Sequence, residues 1–424
     1  MTTDYPKNWE RTTIRHTCEP TKVWNPQKEA RDEFWYVDVS AVDRNSLAIR
    51  QPQRVKADEA PSRARKIIHA GDTIFATVRP TLRRVAFVGK EFDDQIASTA
   101  FCVLRPNRKA IPRFLYYILQ TDQLNEEIAK FQSGASYPAV NDKDVLDRTI
   151  SLPPRPEQEK ITAVLWKIQH AIETEDKLIA AARELKQSAI RQLFTRGLRD
   201  ELQKETEIGL IPKAWEVKRI GDISILKGGK RLPKGEALVS ENTNFPYIRV
   251  TDMGDNSVDT RGIKFVPKHI QPTIARYIIT TKDVYISIAG TIGLVGIIPP
   301  ELEGANLTEN AARIVLTDNE MDARFLMHFL ETPPAQDQIR FHTAKNAQPK
   351  LALTRIEQVL LPKPDTLKEQ REIANILDTI QRKIIVHEHK RVTLQELFKT
   401  VLHQLMNAEI RVIELDIDVS EIQS

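Results

Sequence analysis

Residues Glu157–Ile172 and Glu369–Ile384 align without a gap at an offset of 212. Seven of the sixteen positions are identical: Glu157/Glu369, Gln158/Gln370, Ile161/Ile373, Leu165/Leu377, Ile168/Ile380, Gln169/Gln381 and Ile172/Ile384. About one identity is expected from average composition. The duplication reaches well beyond this segment. "YPKNWERTTI" matches "IPKAWEVKRI", pairing Trp9 with Trp215 and Ile14 with Ile220, and "FWYVDVS" matches "FPYIRVT", pairing Phe34 with Phe245. "GDTIFATV" matches "KDVYISIA", and "PRFLYYIL" matches "ARFLMHFL". A chain written twice must bury the same apolar positions twice, so the repeat sets the architecture before any local propensity does. It divides the 424 residues into a first mixed domain (1–150), a first helical spacer (151–206), a second mixed domain (207–362), and a second spacer with a C-terminal tail (363–424).

Each mixed domain reads as strand-rich. "WYVDVS", "DTIFATV", "TAFCVL", "FPYIRV", "DVYISIA" and "AARIVL" carry β-branched and aromatic residues bounded by Gly, Pro and Asp. One helix per copy is expected, at "IPRFLYYILQTDQLNEEIAKF" and at "DARFLMHFLETPPAQDQIRF", the second kinked or broken at Pro333 and Pro334. The fold class is therefore α+β.

The spacers read as long helices with one apolar seam. Ile161, Leu165, Ile168, Ile172, Ile179, Ala182, Ala189 and Leu193 follow the alternating four-three spacing of a coiled coil, and Ile373, Leu377, Ile380, Ile384, Leu394, Phe398, Val401 and Leu405 follow it in the second copy. Pro153, Pro154 and Pro156 mark the first start, and Thr366 with Glu369 suggests a capping box at the second. Each helix should run about 38 residues, or about 57 Å. Such a helix needs a partner, and the other copy supplies one. Glu175 and His387 occupy the same seam position. The plainer expectation is a splayed, wet seam there; the sharper is an antiparallel contact that sets register.

Composition excludes several classes. No apolar run approaches the roughly 20 residues that span a bilayer, and the N-terminus lacks a secretory pattern, so a cytoplasmic protein is expected. Cys18 and Cys102 are the only cysteines and form no CxxC pair. The Pro-Pro pairs lie in "LPPRP", "IPPEL" and "TPPAQ", none of which fits the Asn/Asp-Pro-Pro-aromatic run of an adenine methyltransferase. Gly290, Gly293 and Gly296 match neither GxGxxG nor a P-loop and suggest a tight turn between strands. No catalytic constellation or metal-ligand spacing emerges. The net charge of +4 is too small to dictate a partner, so any anion-binding surface must be local.

The order and duplication of these segments resemble the specificity subunits of type I restriction-modification systems over essentially the whole chain. The carrying residues are "IPKAWEVKRIGDI" and its twin "YPKNWERTTI", "LPPRPEQEKITAVL", "KEQREIANILDTI", "FTRGL" and "IAGTIGLVGII". The second copy departs from the pattern in writing "LPKPDTLKEQ" before its helix where the first writes "LPPRPEQ". The resemblance implies two target-recognition domains separated by two long helices, which form an antiparallel coiled coil about an internal pseudo-two-fold. It implies a non-catalytic subunit that reads a split, asymmetric site in double-stranded DNA and docks two methyltransferase subunits and restriction subunits. The chain would be monomeric within that complex and bind no cofactor, with S-adenosylmethionine, ATP and magnesium belonging to the partners.

Candidate DNA contacts in the first domain are Arg63, Arg65 and Lys66 in "SRARK", Arg79, Arg83 and Arg84 in "VRPTLRRV", and Gln132, Ser133 and Tyr137 in "QSGASY". In the second they are Lys227, Lys230, Arg231 and Lys234 in "LKGGKRLPK", and Lys345, Asn346, Gln348 and Lys350 in "AKNAQPK". Clustered cations suit phosphates, and arginine suits guanine. The competing expectation is a coiled-coil scaffold whose two end domains bind proteins, for which binding would be salt-insensitive. The tail "AEIRVIELDIDV" alternates like a strand and is expected to close back on the first domain.

Overall fold

The computed structural model describes residues 5–25, 29, 31–134, 137–317, 319–343 and 349–420. Two compact units form, one running to Thr174 and resuming at Lys390, the other spanning Glu175–His389. The long helices Arg155–Arg196 (42 residues) and Leu367–Met406 (40 residues) each contribute one half to either unit.

In the first unit, Glu10–Thr13 pairs antiparallel with Thr149–Leu152 and ties the two ends of the first domain together. Between them lie two four-stranded sheets. One is antiparallel throughout, in the order Cys18–Glu19, Phe101–Pro106, Thr73–Ala76, Val85–Phe87. The other runs Gln53–Lys56, Glu33–Val37, Gln95–Ser98, Ala64–Ile68, with a parallel pair at its centre. The second unit repeats the plan. Glu216–Arg219 pairs with Leu360–Lys363, and an antiparallel sheet runs Ser224–Gly228, Ala311–Leu316, Val284–Ser287, Val295–Gly296. A smaller sheet joins Lys264–Phe265, Pro246–Ile248 and Asn306–Leu307, the last two parallel. Every strand expected within the two mixed domains is present.

Two expectations need correction. The stretch 111–131 is two helices, Pro112–Ile118 and Asp122–Ala129, because side chains capture the carbonyls that would continue the first. Asn125 Nδ2 donates to Leu119 O at 2.7 Å, and Thr121 Oγ1 donates to Ile118 O at 2.8 Å. Its counterpart likewise breaks into Ala323–Leu330 and Pro333–His342, where the prolines lack the N–H groups that a continuous helix needs. The tail forms no strand over its described residues. It does close on the first unit: Val412 enters the core, and Lys160 Nζ donates to Ile413 O and Leu415 O at 2.7 and 2.6 Å.

The repeated Glu-Gln pair explains itself at the helix starts. Trp9 Nε1 donates to Glu157 at 3.1 Å, and Trp215 Nε1 donates to Glu369 at 3.2 Å. Gln158 accepts from Ile111 N at 2.9 Å and donates to Lys109 O and Pro153 O; Gln370 accepts from Asp322 N at 2.8 Å and donates to Glu320 O and Pro364 O. These partners are themselves offset by 211. Each glutamine is almost wholly buried, at 1% and 0% exposed, and satisfies backbone groups that would otherwise be stranded beneath the domain. The altered run before the second helix therefore leaves the contact intact. Thr366 accepts from Glu369 N at 3.2 Å, while the Glu369 carboxylate serves the indole.

The helices run antiparallel within each unit. In the first, Ile161 and Leu165 share a core with Leu402, Leu405 and Met406, so the start of one helix meets the end of the other. In the second, Ile190, Leu193 and Phe194 share a core with Ile373, Ala374 and Leu377. Of the predicted seam, Ile161, Leu165, Ile179, Ile373, Leu377 and Ile384 are buried, and Ile168, Ile172, Ile380 and Leu394 are half-buried. His387 Nδ1 lies 2.6 Å from Glu175 Oε2, whose side chain is 3% exposed; the seam is closed there by the polar pair.

The second domain also grips the helices through a polar network. Fully buried His328 sits with Nε2 2.7 Å from Asp378 and Nδ1 3.5 Å from Glu331. Lys186 joins Glu331 at 2.9 Å and Gln381 at 2.8 Å, Arg324 joins Asp378 at 3.0 Å, and Asn256 Nδ2 donates to Glu331 at 2.6 Å. Burial raises both carboxyls, but the His328 hydrogen bonds and the Lys186 and Arg324 charges outweigh it and hold both below the ordinary range. His328, Asp378 and Lys186 align with Tyr117, Trp166 and Phe398 in the other copy, and the rings of Tyr117 and Phe398 lie 5.9 Å apart.

Two predictions follow from these contacts. Replacing Gln158 or Gln370 by Ala strands a buried N–H, so each should lower unfolding free energy by about 1–3 kcal/mol in chemical denaturation. Because both carboxyls are lowered in the folded state, their contribution is complete above roughly pH 4.5 and is lost as pH falls through the depressed values. Hydrogen exchange during acid titration should show the second unit losing protection in that window, and Asp378→Asn should flatten the loss.

Candidate nucleic-acid interface

In the first domain, the hairpin between Thr73–Ala76 and Val85–Phe87 carries Arg79, Arg83 and Arg84 around the short turn Pro80–Leu82. Arg79 N donates to Pro138 O at 2.7 Å, and Ser133 and Ala139 bridge through their backbones, so the hairpin tip and the 132–140 loop are fastened together. The Arg79 guanidinium lies 5.0 Å from the ring centroid of Tyr137, which is 70% exposed. Ser133 is exposed beside them, and Gln132 turns back to donate to Ala129 O at 2.9 Å. Arg83 is exposed and pairs with Asp122. Arg84 is half-buried and donates to Val39 O, which places it under the hairpin.

The "SRARK" residues lie on the other sheet. Arg63 is exposed. Arg65 donates to Ala64 O at 2.7 Å, its guanidinium 6.0 Å from the Trp24 ring. Lys66 pairs with Asp142 and is only 14% exposed.

In the second domain, Lys227, Lys230, Arg231, Lys234 and Lys350 are exposed, whereas Lys345, Asn346 and Gln348 lie outside the described residues. Arg231 pairs with Glu309 at 2.7 Å. Lys227 borders a cleft of about 340 Å³ that also takes in Arg276, Tyr277, Leu307 and Arg313. The Tyr277 ring has the Arg276 guanidinium at 4.9 Å and Lys230 Nζ at 5.9 Å. Arg313 is neutralised by Asp283 at 3.0 Å, which leaves Lys227, Lys230 and Arg276 as the outward charge. A positive cleft with one aromatic face accepts a polyanion, and above all phosphate.

Arg276 and Tyr277 were not among the residues singled out from sequence. The repeat contains the signal: "ARKII" from Ala64 and "ARYII" from Ala275 align at offset 211 and place Arg65 opposite Arg276. Both arginines lie against an aromatic ring, although Ala64–Ile68 is a full strand and the second segment makes only the bridge Ile278–Asn306. Among the described residues, no group of His, Cys, Asp or Glu is arranged to hold a metal ion, and no helix is long and apolar enough to cross a membrane.

The comparisons with known proteins agree with the repeat. The model of the type I restriction modification DNA specificity domain matches twice, at residues 7–183 and 212–396, each match taking in a mixed domain and much of the helix after it. The MjaVIII specificity subunit of Methanocaldococcus jannaschii is 24% identical over 337 residues, 78% of this chain and 77% of that one. A chain solved in work on complex assembly and conformational transition of the type I R-M system is 26% identical with a TM-score of 0.55, covering 96% of this chain and 99% of the other. The type I restriction-modification S subunit from M. genitalium, at 16% identity and a TM-score of 0.62, shares the fold over 96% of this chain and 99% of its own. Two family matches that together span most of the sequence, laid over a fold that repeats in step with them, make this chain a member of the type I restriction-modification DNA specificity family.

Proposed function

We propose that this chain is the sequence-reading subunit of a type I restriction-modification complex, with each domain reading one half of a split, asymmetric site in double-stranded DNA. The observation that carries the proposal is the pairing of a shared frame with unshared surfaces. The Trp-Glu and Gln-backbone contacts are the same in both copies, whereas the exposed cations and loop residues differ. Two readers of one construction bearing different polar faces suit a bipartite target whose halves are unlike. The repeated helices are the spacer between the half-sites. They and the helix starts dock two methyltransferase subunits and the restriction subunits, which supply S-adenosylmethionine, ATP, magnesium and the chemistry. The chain acts as a single copy within that complex, in the cytoplasm.

Arg65 and Arg276 hold the same repeated position, and sequence-independent phosphate contacts are what two differently reading domains have in common.

Methylome sequencing of a host with and without this gene should reveal one bipartite motif that depends on the gene, and exchanging residues 1–150 for those of a relative should alter one half of that motif only. Arg65→Gln and Arg276→Gln should each reduce the slope of log affinity against log salt by about 1, leaving the methylated motif unchanged. An assembled complex whose duplex binding is indifferent to salt would refute DNA reading in favour of a protein scaffold.

A further inference from the structure

The hairpin tip of the first domain is built against local preference. Arg79 and Arg83, the residues flanking the turn Pro80–Leu82, both adopt left-handed backbone, with φ of 48° and 50°. Side chains other than Gly, Asn and Asp avoid that region because Cβ crowds the backbone, and such strain persists where the side chain itself is needed. The second domain shows that the fold does not require it. Its equivalent hairpin joins Val284–Ser287 to Val295–Gly296, and the strand registers superpose Phe75 on Ile286 and Val85 on Val295. Counted out from those anchors, Arg79 corresponds to Gly290 and Arg83 to Gly293, which are also left-handed at 75° and 88°. The left-handed corners of the hairpin are thus made without strain by glycine in one copy, around two residues, and with strain by arginine in the other, around three. Neither arginine is consumed by the interior. Both are exposed, Arg79 with its guanidinium over the open Tyr137 ring and Arg83 in a surface ion pair with Asp122.

We propose that this tip is the base-reading element of the first domain and that Arg79, placed over the ring of Tyr137, takes a guanine through its O6 and N7 in the major groove. The inference rests on the DNA-reading function proposed above and assigns one base pair of one half-site to one side chain. A planar guanidinium presents two parallel donors that match those two acceptors, which lysine cannot do. Fixing it on an aromatic face and anchoring its backbone to Pro138 removes freedom it would otherwise lose on binding. Because the second domain has glycine at both positions, its hairpin makes no equivalent reading, and its half-site is recognised by other groups.

The test uses the assembled methyltransferase complex with Arg79→Gly and Arg83→Gly, singly and together, which install the residues of the second domain. The thermal midpoint should hold or rise, because the strain is relieved. The methylated motif should lose its requirement for one G·C pair in one half-site, with the other half-site untouched. Affinity for the cognate duplex should fall roughly ten- to a hundredfold for Arg79→Gly, with little change on random duplex. Arg79→Lys keeps the charge and the fold, and it should lose the same discrimination. An unchanged motif in the glycine variants would overturn the assignment, as would an equal loss on cognate and random duplex, which would make the tip a phosphate contact. If the unaltered complex methylates no bipartite motif, the broader DNA-reading function fails instead.

Discussion

The structure depends on a buried glutamine at the start of each long helix. Gln158 and Gln370 each take one backbone N–H and give to two carbonyls from the domain and its closing turn, and the glutamate before each takes the indole N–H of Trp9 or Trp215. The backbone groups of Lys109, Ile111, Glu320 and Asp322 and the carbonyls of Pro153 and Pro364 lie beneath the domains, where their burial is tolerable only if side chains replace water. Meeting that requirement ties the start of the helix to the domain. Writing the same two residues twice makes that tie twice.

Beyond that shared joint the copies diverge in ways that have physical consequences. The first domain meets its helices through aromatic rings, Tyr117 against Phe398, and adds the tail, where Arg411 binds Glu157 at 2.8 Å. The second uses fully buried His328 with half-buried Glu331, Asp378 and Lys186, a polar set that is satisfied within itself. Apolar contact does not titrate; a partly buried ionic network is sensitive to protonation, and removing one member strands the others. The two joints therefore hold equivalent domains by different means.

The surfaces follow a related logic. Arg65 and Arg276 recur at one repeated position against aromatic rings, whereas Arg79 and Arg83 stand where the other copy has glycine. Under the proposed function, a contact common to both domains suits the regular sugar-phosphate backbone, and one confined to a single domain, kept despite backbone strain, suits a base. The two copies within one chain thus distinguish recurring from unshared surface arginines, which charge counting merges. Arg84 and Lys66 stand apart, since their charges are directed at Val39 O and Asp142.

The duplication, the strands and the seams were legible because each depends on spacing along the chain: Ile161, Leu165 and Ile179 recur with the helical period, and Phe75 and Ile286 match at a constant offset. The break at Leu119 was not, because Asn125 and Thr121 compete for its carbonyls through bonds that propensity does not weigh. The tail was legible in part: it closes on the first unit as expected, but over its described residues it pairs with no sheet and forms no strand. Sequence by itself determined that one unit is built twice, with two helices that need each other. Only tertiary structure decided that Glu175 meets His387, that Arg84 points inward while Arg79 points outward, and that Tyr277 gathers Lys230 and Arg276, because these are contacts across elements and no local period encodes which side chains the packed backbone brings face to face.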